Sequence, residues 1–231
     1  LQAGEKTYAD FEIGFTDPGG HSSAPTPGNP IYRLAKAIDR IAAYQFPPMI
    51  NELTKASLSL SAQRIGGDVG EAMRLYAATQ DPASAELLSS RPEFVGQVRT
   101  TCVATMLSGG HALNALPQSA KVSVNCRIFP GVKIDDVKAQ LVKVVADPSA
   151  TFTTLNDPTG SDASPLRDDV VKAVAAAIKA RSPAITVMPG MSAGATDSLY
   201  FRALGVPSYG VSSLFMKAED GFAHGLNERV P

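Results

Sequence analysis

Residues 108–130, SGGHALNALPQSAKVSVNCRIFP, decide the fold because they join two strand-like segments through a polar tip. In the second segment apolar and polar residues alternate, which is the pattern of a strand with one buried face. The apolar set is Val122, Val124, Cys126 and Ile128, and the polar set is Lys121, Ser123, Asn125 and Arg127. The stretch therefore predicts a β-hairpin whose return strand turns Arg127 away from the core.

Two polar residues of this hairpin are not needed to form a packed turn. Asn114 lies near the tip, and Arg127 follows thirteen residues later. A guanidinium on the outer face can bind a carboxylate through two parallel hydrogen bonds, and an amide at the tip can bond to a carbonyl. The pair is therefore a candidate ligand site; the alternative is an exposed strand arginine with a turn asparagine.

The chain contains two cysteines, Cys102 and Cys126. If the hairpin is centred on Asn114, they lie opposite each other on the apolar face. They form either two reduced thiols in the core or a cross-strand disulfide. A disulfide implies an oxidising compartment, periplasmic or secreted, whereas reduced thiols fit the cytoplasm.

The segments on both sides of the hairpin predict an α/β domain. Residues 8–17 alternate like a strand, and residues 30–44 have helical spacing with Asn29 as the N-cap. Residues 134–145 predict a second amphipathic helix, and residues 150–155 a last strand. The order strand, helix, strand, strand, helix, strand is that of a split βαβ (ferredoxin-like) sandwich, one antiparallel sheet with two helices on one face.

One segment does not fit this order. Residues 46–97 show no strong shared period and are predicted to be an insertion, with short helices near residues 50–60, 70–78 and 84–88. The insertion separates the first helix from the hairpin.

The pattern changes again after residue 157. A helix capped by Ser164, a strand at 185–188, a Gly-rich loop with a short helix, and a strand at 207–211 predict the edge of an α/β sheet. The chain is therefore divided into one domain at 7–157 and part of a second at 158–231. Two strands make too small a core for an independent domain, so this part is expected to need partners that the sequence does not contain.

Composition excludes some classes of function. The 231 residues include 21 basic and 22 acidic side chains without a dense basic cluster, so nucleic acid is not an expected partner. The most apolar helical pattern, residues 170–180, is interrupted by Lys172 and Lys179, so no membrane span is expected. Because the sequence begins with Leu1 and shows no signal peptide, we expect it to be a piece of a longer gene product.

Three loops carry residues suited to chemistry. His21 lies in GGHSS, His224 lies in HGLNE after the last predicted strand, and Gly194 and Thr196 belong to GATDS before a short helix. A helix N-terminus favours an anion such as a carboxylate. The alternatives are exposed loop histidines and an ordinary helix capped by Thr196. A serine hydrolase is not expected, because no G-x-S-x-G motif is present.

Taken in chain order, GGHSS, SGGHALNALP, GATDS and HGLNE strongly resemble the motifs of one enzyme family. This is the co-catalytic zinc family of aminoacylases, glutamate carboxypeptidases, carboxypeptidase S and succinyl-diaminopimelate desuccinylase. The resemblance covers nearly the whole chain and is strongest with the carboxypeptidase S-like branch. In that family a split βαβ lid is inserted into an α/β zinc-binding domain. The resemblance implies that residues 7–157 are the lid and that residues 158–231 are part of the catalytic domain.

The resemblance also implies a role for each motif. His21 would stabilise the oxyanion, reaching the partner subunit's active site in dimeric members, while Asn114 and Arg127 would hold the substrate's carbonyl and carboxylate. Gly194 and Thr196 would line the carboxylate end of the pocket, where Ala195 replaces a second glycine that is frequent in the family. His224 would be a zinc ligand.

The expected function follows from these roles. The resemblance implies a hydrolase of amide bonds in N-acyl amino acids or short peptides with a free carboxylate, with two zinc ions per full-length subunit and a homodimer formed through the lid. The family's H-x-D motif, bridging Asp and Glu-Glu pair are absent from this sequence, so His224 is at most one ligand and the chain alone is expected to be inactive. The alternative is a non-catalytic dimerisation or carboxylate-binding module.

Overall fold

A computed structural model of the chain describes residues 1–212. The strands are β1 (Gln2–Glu5), β2 (Thr7–Thr16), β3 (Gly20–His21), β4 (Thr101–Gly109), β5 (Ala115–Leu116), β6 (Ser119–Ile128), β7 (Thr151–Leu155) and β8 (Gly190–Ser192). The helices are α1 (Pro30–Ala43), α2 (Glu52–Ile65), α3 (Gly67–Thr79), α4 (Pro82–Ser89), α5 (Pro92–Val98), α6 (Ile134–Val145), α7 (Asp168–Arg181) and α8 (Ser198–Ala203). Within residues 1–212, no helix is long and apolar enough to cross a membrane.

Four strands form an antiparallel sheet in the order β4-β6-β2-β7. Helices α1 and α6 pack against each other and bury their apolar faces on one side of this sheet. As predicted, Asn29 caps α1 by accepting a hydrogen bond from the Ile31 amide, and Pro30 occupies the first turn. The order β2, α1, β4, β6, α6, β7 confirms the predicted α/β class with a split βαβ arrangement.

The register of the two central strands fixes which side chains are buried. β2 and β6 pair without a break, so that Tyr8 lies opposite Arg127 and Asp10 lies opposite Asn125. The alternate residues point into the core, among them Ala9, Phe11, Val124 and Cys126. The predicted outward direction of Arg127 is therefore confirmed.

The two cysteines form a cross-strand disulfide, with Cα atoms 4.1 Å apart. Near the hairpin tip, Gly109 pairs with Ala120, which is one residue out of the register that would oppose the cysteines. A bulge between Ala104 and Met106 shifts the register by one and brings Cys102 opposite Cys126. The expectation of a simple central turn therefore misses the irregularity that makes the pairing possible.

The insertion is a helical unit with its own core. It contains four helices, α2 to α5, whereas three short ones were predicted. Helix α2 begins with a capping box formed by Asn51 and Thr54. The core contains Leu58, Met73, Tyr76, Leu88 and Val98. The last residue belongs to α5, which spans 7 residues and is too short to show a helical period.

Both strands predicted after residue 158 are wrong. Residues 185–188 form no strand, because pairing with β1 begins only after Pro189; β1 and β8 then pair in parallel. At residues 207–211 only Gly210 forms a bridge, to Gln2, since a proline starts this segment and cannot donate to a ladder. Residues 2–5 therefore contact the C-terminal part of the chain, while the division at 7–157 and 158–231 stays a prediction.

Ser164 does not cap a helix, contrary to the prediction. Helix α7 starts at Asp168, and its N-cap, Arg167, makes no side-chain capping bond. The Ser164 hydroxyl instead donates to the Ser208 carbonyl (2.9 Å) and accepts from the Ser208 amide (2.9 Å). A long-range contact thus replaces the local one that the sequence pattern favoured.

A buried ion pair joins the first strand to the last helix. Glu5 in β1 and Arg202 in α8 contact each other, and their side chains are 0% and 2% exposed, respectively. Arg202 also donates to the Ser208 carbonyl at 3.2 Å. Glu5 further accepts a bond from the Gln2 side chain at 3.3 Å. These contacts hold β1 against the C-terminal part.

Candidate functional site

The structure brings His21 and Asn114 together. The short strands β3 and β5 pair so that His21 lies opposite Ala115. The Ser22 amide donates to the Asn114 carbonyl at 3.1 Å, which ties the GGHSS loop to the hairpin tip. His21 and Asn114 are both exposed. One end of the sheet therefore presents an imidazole and an amide to the exterior.

Glycine is required where this loop turns. Gly19 has a φ of 81°, and a Cβ atom there would lie 2.8 Å from the Gln118 side chain and 3.2 Å from the Leu116 carbonyl oxygen. A larger residue would push the loop away from β5. The first glycine of GGHSS is thus explained by packing, and it fixes the approach of His21 to the tip.

The hydrogen bonds of His21 define its tautomer. Its Nδ1 atom accepts from the Ser23 amide at 3.2 Å and lies 2.8 Å from the Ser23 hydroxyl. Because a backbone N–H can only donate, Nδ1 carries the lone pair and the proton of the neutral ring lies on Nε2. The exposed Nε2–H is then free to donate to an anionic oxygen.

Arg127 lies on β6 with its guanidinium over the ring of Tyr8, 4.5 Å from the ring centroid. Its Nε donates to the Asn125 side-chain oxygen at 3.2 Å. Within residues 1–212, Arg127 forms no ion pair with a carboxylate. A half-buried guanidinium without a carboxylate partner can bind one from a ligand.

Arg127 and the pair His21 and Asn114 occupy opposite ends of the sheet. Strand β6 starts at Ser119 beside the tip and reaches Arg127 eight residues later. At about 3.4 Å per residue, this separation is roughly 27 Å. One copy of the chain therefore does not bring these three residues to one small ligand.

The GATDS loop lies at the Arg127 end. A cavity of about 240 Å³ is lined by Tyr8, residues 156–159 and the loop residues Ala195, Thr196 and Asp197. Tyr8 thus contacts both the cavity and the Arg127 guanidinium. Gly194 lies beside this lining, and its amide donates to the Ser192 hydroxyl at 3.0 Å. Thr196 is not the N-cap of α8, since that position is held by Asp197.

The insertion braces the start of the same loop. The Gln97 side chain in α5 donates to the Met191 carbonyl at 3.0 Å, and the Lys6 amide donates to the Ser192 carbonyl at 3.0 Å. A Cβ atom on Gly96 would lie 3.2 Å from the Ala193 side chain, so the helix approaches the loop closely. Sequence reasoning missed these contacts because each joins segments that are far apart in the sequence.

Lys6 is a buried lysine that sequence reasoning also missed. Its ammonium donates to the Arg99 carbonyl at 2.7 Å and to the Thr101 hydroxyl at 3.4 Å. Burial, and to a smaller extent the positive charge of Arg127, lower the pKa of Lys6 to about 7. The only sequence signal is a charged residue next to an apolar strand, which is common at strand ends.

No metal centre is formed by the described part of the chain. Residues 1–212 contain no group of three or more His, Cys, Asp or Glu side chains that could hold a metal ion. The predicted ligand His224 lies outside the described residues.

Curated relatives match almost the whole chain. The N-fatty-acyl-amino acid synthase/hydrolase PM20D1.1 of Danio rerio is 26% identical, over 98% of this chain and 44% of the relative. The probable carboxypeptidase S-like 2 of Dictyostelium discoideum is 22% identical, over 98% of this chain and 44% of the relative. The chain thus spans less than half the length of these relatives.

Solved structures with the same fold include two peptidases. The M20 family metallo-carboxypeptidase Sso-CP2 from Sulfolobus solfataricus has a TM-score of 0.56 at 20% identity, covering 89% of this chain and 57% of that one. The dipeptidase Dug1p from Saccharomyces cerevisiae has a TM-score of 0.55 at 13% identity, covering 89% of this chain and 47% of that one. At these identities the likeness supports the fold alone.

A family model provides the assignment. The M20 model described as "Peptidase dimerisation domain" matches residues 3–152, which include β2, β4, β6 and the start of β7, both helices packed on the sheet and the helical insertion. The match covers more than half of the 231 residues. The chain therefore belongs to the M20 peptidase dimerisation-domain family.

Proposed function

We propose that this chain serves a metal-dependent hydrolase of amide bonds in N-acyl amino acids or short peptides with a free carboxylate. The observation that carries the proposal is Arg127, which has no carboxylate partner in the described residues and stacks on Tyr8 beside the cavity that Thr196 lines. The relatives named as an N-fatty-acyl-amino acid synthase/hydrolase and a probable carboxypeptidase support it. An N-acyl amino acid and a peptide both combine an amide with a carboxylate.

The chain's own residues would act on the two ends of such a substrate. Arg127 binds the carboxylate, with Gly194 and Thr196 at the same end. Amide hydrolysis places negative charge on the carbonyl oxygen, and a preorganised donor that meets this charge lowers the barrier. The Nε2–H of His21 is such a donor, and Asn114 beside it holds the carbonyl. Zinc, two ions per full-length subunit, would be held by His224 and by residues outside this chain.

We further propose that the complete site forms between two copies of the chain. Since roughly 27 Å of β6 separates Arg127 from the strand end beside which His21 and Asn114 lie, a small substrate bound to Arg127 of one copy needs His21 and Asn114 of the other. A homodimer supplies such an exchange twice, once for each site.

The outer edge of the sheet suits this dimer. β4 is an edge strand, and its residues Val103, Met106 and Leu107 are 57%, 71% and 68% exposed. An adjoining groove of about 400 Å³ is lined by Leu107 and by the α1 residue Ile31, among others. A long apolar edge strand is a template for pairing with another chain. We propose that β4 and α1 of two copies pair here.

The dimer is tested by placing a charge on the edge. Met106→Lys should shift the protein from dimer to monomer in sedimentation equilibrium, because a lysine ammonium would be buried in the interface. Val142→Lys on the outer face of α6 is the matched control, since Val142 is 45% exposed and α6 is not part of the proposed β4 and α1 interface. A dimer that survives Met106→Lys unchanged would contradict the proposed interface.

The activity is tested on the full-length protein supplied with zinc. Hydrolysis of N-acetyl-L-leucine that a chelator abolishes is the expected result. Arg127→Ala should raise KM at least tenfold, because a charge-assisted contact is lost. Arg74→Ala is the control, because within residues 1–212 this exposed arginine pairs only with Glu71 on α3. A variant KM equal to that of the wild type would remove Arg127 from the site. Carboxylate binding without hydrolysis would favour a non-catalytic module.

We also propose an oxidising compartment, periplasmic or secreted, on the basis of the Cys102–Cys126 disulfide. Cysteine labelling of protein recovered from its native source, with and without prior reduction, tests this. Two thiols that label without reduction would assign the chain to a reducing compartment such as the cytoplasm.

A further inference from the structure

Four polar residues on the outer face of the sheet form one connected group. Tyr8 and Asp10 lie two residues apart on β2, and Asn125 and Arg127 lie two residues apart on β6. Tyr8 pairs with Arg127 across the strands, and Asp10 pairs with Asn125. Since side chains two residues apart share a face, all four project on the side opposite the apolar core.

Contacts run around this group in a closed ring. Arg127 Nε donates to Asn125 Oδ1 at 3.2 Å, and Asn125 Nδ2 donates to Asp10 Oδ1 at 2.7 Å. Hydrogen bonding to Asp10 raises the pKa of the Tyr8 hydroxyl, followed by the effects of burial and of the Asp10 charge. The Tyr8 ring then returns to the Arg127 guanidinium at 4.5 Å. Each member is held by two neighbours.

The ring leaves a defined part of Arg127 free. Its Nε is used by Asn125, and one face of the guanidinium is covered by Tyr8. The hydrogen bonds of the ring do not engage the terminal nitrogens Nη1 and Nη2, which can bind both oxygens of a carboxylate in the bidentate manner of arginine. The Nε bond and the stacking fix the orientation of the guanidinium and leave its terminal nitrogens available. Tyr8 and Thr196 both line the neighbouring cavity.

Asn125 separates the Asp10 carboxylate from the guanidinium. If Asp10 contacted Arg127 directly, it would neutralise the charge and compete with a ligand carboxylate. The Asn125 amide accepts a hydrogen bond from Arg127 and donates one to Asp10, and it carries no charge itself. The arrangement therefore orients the arginine and keeps its charge available.

We propose that Tyr8, Asn125 and Asp10 position Arg127 for the substrate carboxylate, with Tyr8 acting through the stacked guanidinium and Asn125 as the neutral link. The inference rests on the proposed function, in which Arg127 binds that carboxylate. We therefore expect Tyr8, Asn125 and Asp10 to affect how well the protein distinguishes a substrate carboxylate from an uncharged group, although none of them contacts that carboxylate.

The test uses the full-length protein with zinc and two probes, N-acetyl-L-leucine and its uncharged analogue N-acetyl-L-leucinamide. Tyr8→Leu removes the aromatic face and should raise KM for the acid about fivefold, with kcat changed less than twofold and KM for the amide unchanged. Tyr8→Phe keeps the ring and should retain most of the wild-type KM. Asn125→Asp should raise KM for the acid about tenfold, because its carboxylate pairs with Arg127.

Tyr44→Leu is the matched control, since Tyr44 contacts Phe46 at the end of α1 and lies outside this group. The proposal is overturned if Tyr8→Leu leaves KM for the acid within twofold of the wild type. It is also overturned if acid and amide are affected alike, because that result indicates a general loss of structure.

Failure of the proposed function has a different signature. If the wild-type protein hydrolyses neither probe, calorimetry with N-acetyl-L-leucine replaces kinetics. Binding of the acid by the wild type, weakened by Tyr8→Leu and retained by Tyr8→Phe, would support the positioning role without catalysis. No binding by the wild type would overturn both proposals.

Discussion

Lys6 is buried in the folded chain, whereas its ammonium is solvated in an unfolded chain. It is 0% exposed, and its ammonium is bound by a carbonyl and a hydroxyl rather than by a carboxylate. Its pKa falls from 10.5 to about 7, chiefly through burial. Between these values the unfolded chain binds more protons than the folded chain. The free energy of unfolding should therefore rise as pH increases from 7 towards 10.

We expect this rise to reach about 1 kcal/mol per pH unit in wild type and to be absent in Lys6→Met, which keeps the apolar stem of the side chain. Urea unfolding at pH 7, 8 and 9 measures it. Other groups, including the Leu1 amine, whose pKa is also lowered by burial, titrate in both proteins and cancel in the difference. Parallel curves for the two proteins would show that Lys6 does not titrate in this range.

The proposed role of His21 is to stabilise the oxyanion during the reaction. His21→Ala in the full-length protein should lower kcat about 100-fold with little change in KM and with zinc content retained, because one oxyanion donor is lost. The loop should persist, since Gly19 and the β3–β5 pairing do not depend on the ring. His111→Ala, at an exposed position near the same tip, is the control. Equal losses in the two variants would contradict the role.

Alternation along β6 was enough to predict that Arg127 faces away from the core, because a strand's facing depends only on neighbouring residues. The environments of Lys6 and Tyr8 were not predictable in this way. Each depends on a segment about a hundred or more residues away, Arg99 for the former and Arg127 for the latter. The prediction that Ser164 caps a helix was wrong for the same reason, since its side chain bonds to Ser208 instead.

At the scale of elements, the disulfide links the edge strand β4 to β6 across a sequence separation of 24. Closing a loop of this length restricts the unfolded chain and should stabilise the fold by about 3 kcal/mol. Reduction should lower the free energy of unfolding by this amount, as measured by urea unfolding with and without dithiothreitol. A double variant with Cys102→Ala and Cys126→Ala should not respond to the reductant. An equal response in both proteins would exclude the disulfide as the cause.

Elements with strong local signals were predicted well, and those that depend on a partner were not. Helix α1 has a cap, a first-turn proline and a clear apolar stripe, and it begins where predicted. The segment at 185–188 has strand-favouring residues but no strand beside it in the described structure, so β-propensity alone was misleading. The bulge between Ala104 and Met106 could not be predicted, because the sequence of β4 shows no signal for it.

Across the whole molecule, the Glu5–Arg202 pair joins residues that are 197 positions apart. Arg202→Met would leave a buried carboxylate without its partner and should cost about 3–5 kcal/mol in the free energy of unfolding. Adding Glu5→Leu should recover most of this loss, since both charges are then removed. Guanidinium unfolding of both variants measures the effect. A double variant no more stable than the single one would mean that packing, not charge, is lost.

The fold of the four-stranded sheet and its two helices could be predicted because the order of these elements is itself a signature of the split βαβ arrangement. The site could be predicted only in parts. The motifs name His21, Asn114 and Arg127, but a linear sequence does not say that roughly 27 Å of β6 lies between Arg127 and the end of the sheet that carries the other two. That separation follows from pairing along the full length of the strand.

The distance between the two halves of the site has a genetic consequence. If each site takes His21 from one copy and Arg127 from the other, a mixed dimer of His21→Ala and Arg127→Ala chains carries one site with both defects and one with neither. Two impaired mutants would then complement each other when their subunits are mixed, restoring about a quarter of wild-type activity at low substrate concentration after random exchange.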